Sequence, residues 1–239
     1  MARKDRVRGM FNGIAGSYDR LNHIMSFGVD RIWRKKAVKT VVDSESSLEI
    51  LDLACGTGDS AIALSKRLPQ GHVRGVDLSE GMLSVMREKV ERMGLEDRIS
   101  MERGDGEKLH FEEGSFDRVT IFFGIRNFES KTAGLGEMLR VLKPGGRVVI
   151  LELSRPENAV LRSMYNVYFL HILPWIGGKV SGNRAAYNYL PASVVAFPAP
   201  EEFMAMMTAA GFEKVDHKAY SLGLCRMYTG EKRKFAGYE

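Results

Sequence analysis

Cysteine is scarce in this sequence, and its scarcity excludes several structural classes. The 2 cysteines, Cys55 and Cys225, lie far apart and form no C-x-x-C pair, so neither a disulfide framework nor a zinc site is predicted. A long apolar run is also missing, so no segment is expected to cross a bilayer. The basic N-terminus precedes no apolar segment, unlike a secretory signal. We therefore expect a cytoplasmic protein without a metal site.

Residues 48–81 have the pattern of a strand, a glycine turn, a helix and a second strand. An apolar run from Leu48 to Ala54 predicts a buried strand. Gly56-Thr57-Gly58 then opens a helix, because glycines allow positive φ and close approach of the backbone to a ligand. The second strand, residues 73–76, ends in Asp77, whose carboxylate can accept hydrogen bonds from both hydroxyls of a ribose. This layout predicts a site for an adenine nucleoside on a doubly wound sheet.

Two cofactors fit this layout, a nicotinamide dinucleotide and S-adenosylmethionine. Gly56-x-Gly58-x-x-Ala61 matches the dinucleotide pattern G-x-G-x-x-[GA]. A dinucleotide, however, needs a helix N-terminus free of negative charge for its pyrophosphate, whereas Asp52 precedes the turn and Asp59 lies inside it. Two carboxylates would repel a pyrophosphate and suit a ligand that carries an ammonium and a sulfonium. We therefore favour S-adenosylmethionine.

Two segments further along the chain support the methyl donor. Gly104-Asp105-Gly106 follows a predicted third strand, residues 99–103, where an acid between small residues can bracket an adenine ring. Residues 142–147, with a proline and two glycines, are interpreted as a helix end before an apolar strand, residues 148–151. In this order and spacing, the motifs resemble those of class I methyltransferases from about residue 46 onward. Each acid taken alone is equally compatible with a solvated loop.

The chain has a net charge of +5, and many of its cations fall into three groups. The groups are Arg3, Lys4, Arg6 and Arg8; Arg31, Arg34, Lys35, Lys36 and Lys39; and Lys232, Arg233 and Lys234. Such groups are usually solvated surface, and the functional alternatives are a nucleic acid or an anionic membrane. No nucleic-acid-binding motif is present, and the aromatic residues are not interleaved with the cations. We therefore predict no nucleic-acid partner and a transient contact with an anionic membrane surface.

Two segments rich in large apolar side chains lie outside the predicted sheet. One runs from Met10 to Trp33, and the other covers residues 160–178. The second follows the fifth strand, and in a doubly wound fold that position lies over the carboxyl ends of the strands. It is either core or the wall of an apolar pocket, and we favour the pocket wall. Two apolar segments over one cofactor site indicate a hydrophobic substrate.

Several motifs outside the cofactor site make the resemblance more specific. They are Met10 to Asn22 with Tyr18-Asp-x-x-Asn22, Ser26-Phe-Gly28, Arg31-Ile-Trp33, Phe123-Gly-Ile-Arg126-Asn127, Leu173-Pro-Trp-Ile-Gly177 and Tyr187-Asn-Tyr-Leu190. They resemble the signatures of the menaquinone/ubiquinone biosynthesis C-methyltransferases over essentially the whole chain. The resemblance implies methyl transfer from S-adenosylmethionine to a ring carbon of a prenylated quinol. It departs at Asp30 and Tyr228, where the family often has histidine, and at Phe122, where some members have serine.

The resemblance also implies which residues bind the methyl donor. Thr57, Asp77, Asp105 and Gly106 fall where the family holds S-adenosylmethionine, and the glycine-turn pattern adds Asp52, Gly56 and Gly58.

The resemblance implies a catalytic set of Tyr18, Arg126 and Asn127 around a quinol oxygen. A ring carbon becomes nucleophilic as its hydroxyl loses a proton, and Arg126 is no proton acceptor because the pKa of arginine exceeds about 12. We expect it to stabilise the phenolate, while the proton leaves through Tyr18 or a water held by Asn127, with His23 as a candidate final acceptor. Alternatively, Arg126 pairs with Asp117 or Glu129, and His23 is purely structural.

We predict one α/β domain, a doubly wound and mostly parallel sheet of the Rossmann-like class I methyltransferase type. A helical N-terminal cap is expected over residues 1–45, a cofactor-binding core over 46–154, a lid insertion over 155–190 and the rest of the sheet over 191–239. By resemblance, the last strand, near 222–230, is antiparallel. The favoured acceptor is demethylmenaquinol, used at the inner face of the cytoplasmic membrane.

Other functions compete with this one. A benzoquinol of the ubiquinone pathway, alone or with the naphthoquinol, is the alternative acceptor. A nicotinamide oxidoreductase and a non-catalytic scaffold of a quinone-making complex are the alternatives from other classes. The oligomeric state is left open, a homodimer included.

Overall fold

The computed structural model describes residues 3–42, 47–68, 70–167 and 184–234. Its strands are β1 (Leu48–Leu53), β2 (Gly71–Asp77), β3 (Ile99–Arg103), β4 (Phe116–Phe122), β5 (Leu142–Leu153), β6 (Glu213–Tyr220) and β7 (Cys225–Glu231). They form one sheet in the order β3-β2-β1-β4-β5-β7-β6. β1 to β5 run parallel, and β7 pairs antiparallel with β5 and β6. The predicted mostly parallel α/β fold with an antiparallel last strand is confirmed.

Helices cover both faces of the sheet, and three of the described α-helices precede β1 in the chain. They are α1 (Arg3–Ile14), α2 (Tyr18–Met25), α3 (Val29–Val41), α4 (Asp59–Arg67), α5 (Glu80–Arg92), α6 (Lys131–Val141), α7 (Ala159–Val167), α8 (Arg184–Val195) and α9 (Pro200–Ala209). The predicted N-terminal cap corresponds to α1, α2 and α3; α1 packs on α5, and α3 packs on α4 and β5. Much of the predicted lid, including its 173–177 motif, lies outside the described residues.

The first strand–helix–strand unit forms because its apolar side chains pack on both faces of the sheet. Ile50 belongs to one core cluster and its neighbour Leu51 to the other, as expected for a central parallel strand covered on both sides. α4 buries Ala61, Ile62 and Leu64 on one face, as the periodicity predicts. This packing holds the glycine turn between β1 and α4 in a fixed place.

One predicted boundary is wrong. Residues 142–147, interpreted as a helix end, are instead the first part of β5, because α6 already ends at Val141. Pro144 and the following glycines do not break the strand: the Gly145 N–H donates to the Lys232 carbonyl at 2.9 Å, and the Lys232 N–H donates to the Gly146 carbonyl at 2.9 Å. Pairing with the chain beyond β7 supplies the hydrogen bonds that a helix cap would otherwise supply.

The strand order reverses between β1 and β4, which are neighbours in the sheet. At such a reversal the loops that leave the carboxyl ends diverge and leave a crevice for a ligand. Within the ranges that the structure describes, no helix is both long and apolar enough to cross a membrane.

Candidate active site

Two adjoining cavities lie at the carboxyl ends of the parallel strands. The small cavity, of about 90 Å³, is lined by residues that include Asp77, Gly106 and Asn127. The large cavity, of about 500 Å³, is lined by residues that include Thr57 and Arg126. Five residues line both: Tyr18, Ala54, Gly56, Phe122 and Phe123. The site therefore has two compartments that meet at the glycine turn and at the end of β4.

In the small cavity, the Asp77 carboxylate is held by two backbone hydrogen bonds. One carboxylate oxygen of Asp77 accepts from the Gly56 N–H at 2.9 Å and the other from the Ser79 N–H at 2.8 Å. Burial raises the pKa of this carboxyl, although these backbone N–H groups act in the opposite direction. Each oxygen keeps a further lone pair, and a side chain on Gly56 (φ +57°) would project into open space. A ligand can therefore approach both residues, as adenosine binding requires.

Contacts from α1 close the small cavity from outside. The Asn12 side-chain oxygen accepts from the Ser79 hydroxyl at 2.6 Å and from the Gly81 N–H at 3.0 Å. The Lys4 ammonium contacts Asp105 at 2.6 Å and Glu107 at 3.2 Å. Burial alone would lower the pKa of Lys4, but these two carboxylates raise it above its usual value. Lys4 belongs to the basic N-terminal group of the sequence, and its contact with these carboxylates was not predicted.

Three predicted cofactor residues do not line either cavity. Asp52 is buried in β1, where one oxygen accepts from the Thr120 hydroxyl at 2.7 Å and the other has no partner among the described residues. Burial raises the pKa of Asp52 to about 7. Gly58 (φ +85°) is required because a Cβ there would lie 2.5 Å from the Met86 side chain. Asp105 faces Lys4, whereas its neighbour Gly106 lies on the wall of the small cavity.

A network of charges surrounds the N-terminus of α4 beside the large cavity. The Lys89 ammonium lies 2.5 Å from Asp19 and 2.6 Å from Asp59, and the Thr57 hydroxyl donates to Asp19. Burial would raise the pKa of Asp59, but Lys89 outweighs it, so the pKa is lowered. Two carboxylates share one ammonium, which leaves net negative charge on this wall. Asp19 belongs to the Tyr-Asp-x-x-Asn motif, yet its contact with Thr57 was not predicted.

Arg126 is buried and paired with an acid that sequence analysis missed. Its guanidinium donates to Glu152 at 2.7 Å and to the Phe123 carbonyl, and its backbone N–H donates to Glu152 at 3.1 Å. Neither predicted alternative partner is used, because Asp117 pairs with Lys143 at 2.9 Å and Glu129 accepts from the Lys4 N–H at 2.7 Å. In the sequence, Glu152 is a charged residue within the apolar run of β5, and this feature could have indicated a buried ion pair.

The electrostatics keep both catalytic candidates Arg126 and Tyr18 protonated. Burial alone would lower the pKa of Arg126, but Glu152 outweighs it and raises the pKa. Burial raises the pKa of Tyr18, with Arg126 acting in the opposite direction. Tyr18 can therefore donate a hydrogen bond at neutral pH, whereas the structure gives no reason for it to accept a proton.

The other two candidates make different contacts. The Asn127 side-chain oxygen accepts from the Tyr189 hydroxyl at 3.0 Å, and Asn127 lines the small cavity. In the large cavity, the His23 Nδ1 lies 2.9 Å from the buried Asp30 carboxylate, and its Nε2 lies 3.8 Å from Asp59. The predicted trio is therefore split between the two cavities, with Tyr18 at their junction.

The backbone is strained where the two cavities meet. Ala54 (φ +48°) follows β1 and Phe123 (φ +63°) follows β4, and both lie in the left-handed region that non-glycine residues rarely adopt. Such positions cluster at functional sites, where surrounding structure compensates for the strain. Cys55, between Ala54 and Gly56, is buried, and burial raises the pKa of its thiol well above the usual value, so it is no nucleophile. Within the described part of the chain, no group of three potential ligands is placed to hold a metal ion.

Several known proteins resemble this chain over most of its length. The sequence model of the ubiE/COQ5 methyltransferase family matches residues 1–232. The chain is 48% identical over 229 residues to a ubiquinone/menaquinone biosynthesis C-methyltransferase of Geobacter sulfurreducens, covering 95% of this chain and 89% of the relative. It is 46% identical over 223 residues to a demethylmenaquinone methyltransferase of Thermus thermophilus, covering 93% of this chain and 100% of the relative.

A solved structure supports the fold independently. Phosphoethanolamine N-methyltransferase 2 of Haemonchus contortus, in complex with S-adenosyl-L-methionine, has a TM-score of 0.62 at 17% identity, covering 84% of this chain and 52% of that one. At this identity the likeness concerns the fold alone.

Proposed function

Because this chain belongs to the ubiE/COQ5 methyltransferase family, we propose that it transfers the methyl group of S-adenosylmethionine to a ring carbon of a prenylated quinol, with demethylmenaquinol as the acceptor. The family predicted from the motifs is confirmed, and the chain is an S-adenosylmethionine-dependent C-methyltransferase. The observation that carries the acceptor proposal is the large cavity, which adjoins the small one and combines apolar walls with Arg126. The Thermus relative bears the name demethylmenaquinone methyltransferase.

The methyl donor fits the small cavity and the glycine turn. When bound, S-adenosylmethionine supplies an electrophilic methyl group on its sulfonium sulfur. Asp77 would accept hydrogen bonds from the ribose hydroxyls. Gly106 would lie beside the adenine, and it lets the Phe128 ring pack closely, since a Cβ there would lie 2.5 Å from that ring. The negative wall formed by Asp19 and Asp59 would face the ammonium of the donor. Because Asp52 is buried and lines neither cavity, it would act on the donor only through the electric field of its carboxylate.

The large cavity fits a ring with an apolar chain. Apolar side chains that include Met25, Val29, Phe123 and Leu224 line it, and Arg126 supplies a buried cation. Arg126 would donate to the developing phenolate oxygen. Its charge is already paired with Glu152, so we expect stabilisation to come from directed N–H groups rather than from net charge. Holding the ring carbon in line with the methyl group can contribute several kcal/mol, about 7 or more in well-oriented systems.

The proton of the quinol hydroxyl needs an acceptor. Tyr18 is held protonated, so we propose that it donates a hydrogen bond and that the proton reaches His23, directly or through water. Asp30, which accepts from the Ser26 hydroxyl at 2.5 Å, would orient this imidazole. A positioned base contributes about 10²–10⁴-fold to such a step.

Labelled methyl transfer tests the proposal. The protein would be given methyl-labelled S-adenosylmethionine with a short-chain demethylmenaquinol and, separately, with the corresponding demethylated benzoquinol, both kept reduced. Label in the naphthoquinol alone is the expected result, and label in both would indicate an enzyme of both pathways. Absence of label from both, with donor binding intact by calorimetry, would refute the acceptor and favour a scaffold.

We also propose that the enzyme works at the inner face of the cytoplasmic membrane as a peripheral protein. The support is chemical, because a prenylated quinol partitions into the bilayer. None of the described helices is long and apolar enough to cross that bilayer.

A further inference from the structure

Two bulky apolar side chains at the edge of the large cavity are largely exposed. Phe27, between α2 and α3, is 81% exposed, and Leu222, between β6 and β7, is 75% exposed. Both line the large cavity, whose inner wall includes Arg126 at 5% exposure. Both also have positive φ, +51° and +58°. Strained backbone of this kind clusters at functional sites.

The two turns belong to one continuous surface that includes the outer face of α3. The Trp33 indole N–H donates to the Ser221 hydroxyl at 3.0 Å, and the Lys36 ammonium lies 5.0 Å from the centre of the Tyr220 ring. We call this surface the rim surface, and it consists of Phe27, Arg31, Ile32, Lys35, Lys36 and Leu222. Ile32 is itself 54% exposed. Positions 31, 32, 35 and 36 share one side of a helix because they are spaced by one, three and four residues.

Of the three basic groups in the sequence, the one on α3 keeps most of its charge available. In the N-terminal group, Lys4 pairs with Asp105 and Glu107. In the C-terminal group, Lys232 pairs with Glu113.

On α3 the situation is different. The half-buried Arg34 lies 3.8 Å from Asp30, but Arg31, Lys35, Lys36 and Lys39 are exposed and form no ion pair within the described ranges. On the adjoining loop the acid Glu157 is paired with Arg226. The rim surface is therefore positive.

We propose that the rim surface docks the enzyme on an anionic lipid surface, so that the prenyl chain of the acceptor enters the large cavity from the bilayer. The inference rests on the proposed function for the identity of the acceptor, but not for the docking. Isolated apolar side chains among cations are the pattern of interfacial binding, in which apolar groups enter the headgroup region and cations meet lipid phosphates. A protein partner is less well matched, because lysine is depleted from protein interfaces.

Vesicle binding of the full chain tests the docking. The probes are vesicles of pure phosphatidylcholine and vesicles of equal parts phosphatidylcholine and phosphatidylglycerol, with the bound fraction measured by flotation. The unaltered protein should bind the anionic vesicles at least ~10-fold more tightly. The variant I32S/K35E should lower that binding at least ~10-fold, because it removes an apolar contact and reverses one cation. F27S/L222S should lower it as well.

A matched control lies at the C-terminal end of α5. M93S/R92E removes one exposed apolar side chain and reverses one exposed cation away from the rim surface, and its vesicle binding should equal that of the unaltered protein. Turnover of a water-soluble, short-chain demethylmenaquinol should be unchanged in I32S/K35E, since neither residue lines a cavity. This readout also shows that the variant is folded.

The outcomes separate the two proposals. Equal vesicle binding by I32S/K35E and by M93S/R92E would overturn the docking, as would a lack of binding by the unaltered protein, which would leave a protein partner as the explanation of the surface. If the unaltered protein docks but does not methylate the short-chain quinol, the docking stands and the proposed acceptor is wrong. If it methylates the quinol but does not bind the vesicles, the proposed acceptor stands and the docking is wrong.

Discussion

Arg126→Lys tests whether the directed N–H groups of Arg126, rather than its charge, stabilise the phenolate. In the folded protein one terminal nitrogen of Arg126 serves both Glu152 and the Phe123 carbonyl, and its Nε has no partner among the described residues. A lysine ammonium can keep the pair with Glu152, but it cannot also present a second, fixed donor to the cavity. The substitution therefore separates charge from geometry.

The expected magnitude follows from the loss of one donor to an oxyanion. Such a loss costs about 10²–10³-fold in kcat, or about 2.7–4 kcal/mol of transition-state stabilisation. Binding of S-adenosylmethionine should persist because Arg126 lines only the large cavity. The unfolding free energy should fall by only about 1–2 kcal/mol, since the buried ion pair is retained.

The measurement is labelled methyl transfer to the short-chain quinol, with calorimetric donor binding and urea unfolding on the same preparations. Arg140→Lys is the matched control, because Arg140 also pairs with a glutamate, Glu137, and bonds backbone carbonyls, but on α6 away from both cavities. It should leave kcat unchanged. Unchanged kcat in Arg126→Lys would remove Arg126 from the chemistry.

Two further predictions concern the aspartates. Asp77→Asn should weaken S-adenosylmethionine binding about 10–100-fold, because hydrogen bonds to a charged group contribute about 1.5–3 kcal/mol. Calorimetry measures the affinity of this variant for the donor, with the exposed Asp216→Asn as the control. Equal affinities in the two variants would refute the prediction. The pKa of Asp52 is raised from about 4 to about 7 on folding, so its stabilising contribution is complete below about pH 4 and is lost as the pH rises through about 7. The difference in unfolding free energy between Asp52→Asn and the unaltered protein should therefore grow in favour of the variant by about 1.4 kcal/mol per pH unit between about pH 5 and 7. Urea unfolding at a series of pH values measures this difference. A difference that stays constant with pH would mean that Asp52 ionises with an ordinary pKa.

The arrangement of Gly56 and Asp77 in the candidate site could be predicted from local sequence. Gly56 and Asp77 belong to one strand–turn–helix–strand unit, whose hydrophobic pattern places the carboxyl ends of both strands together. The Gly56–Asp77 hydrogen bond across the sheet is a direct result of that parallel pairing. Asp52, only four residues before Gly56, was predicted to face the ligand, but strand alternation and packing place it inside, beside Thr120.

The acceptor half depended on contacts between distant parts of the chain. Glu152 and Lys89 came from no motif, and each acts on a predicted residue from another element. Local patterns carry no information about such partners, since any acid or cation of suitable length is compatible with them. The same holds for the rim surface, where α3 and the turn after β6 are joined by the Trp33–Ser221 hydrogen bond.

By itself, then, the sequence determined the doubly wound fold and the family, because hydrophobic periodicity and glycine turns are properties of short segments. Only the tertiary structure decided which ionisable groups are paired, which are buried and which stay exposed. Pairing and burial depend on what the whole fold packs around each group, and they set its pKa and its chemistry. Asp52 buried beside Thr120, Arg126 held by Glu152 and the cations of α3 left in solvent are the results of that packing.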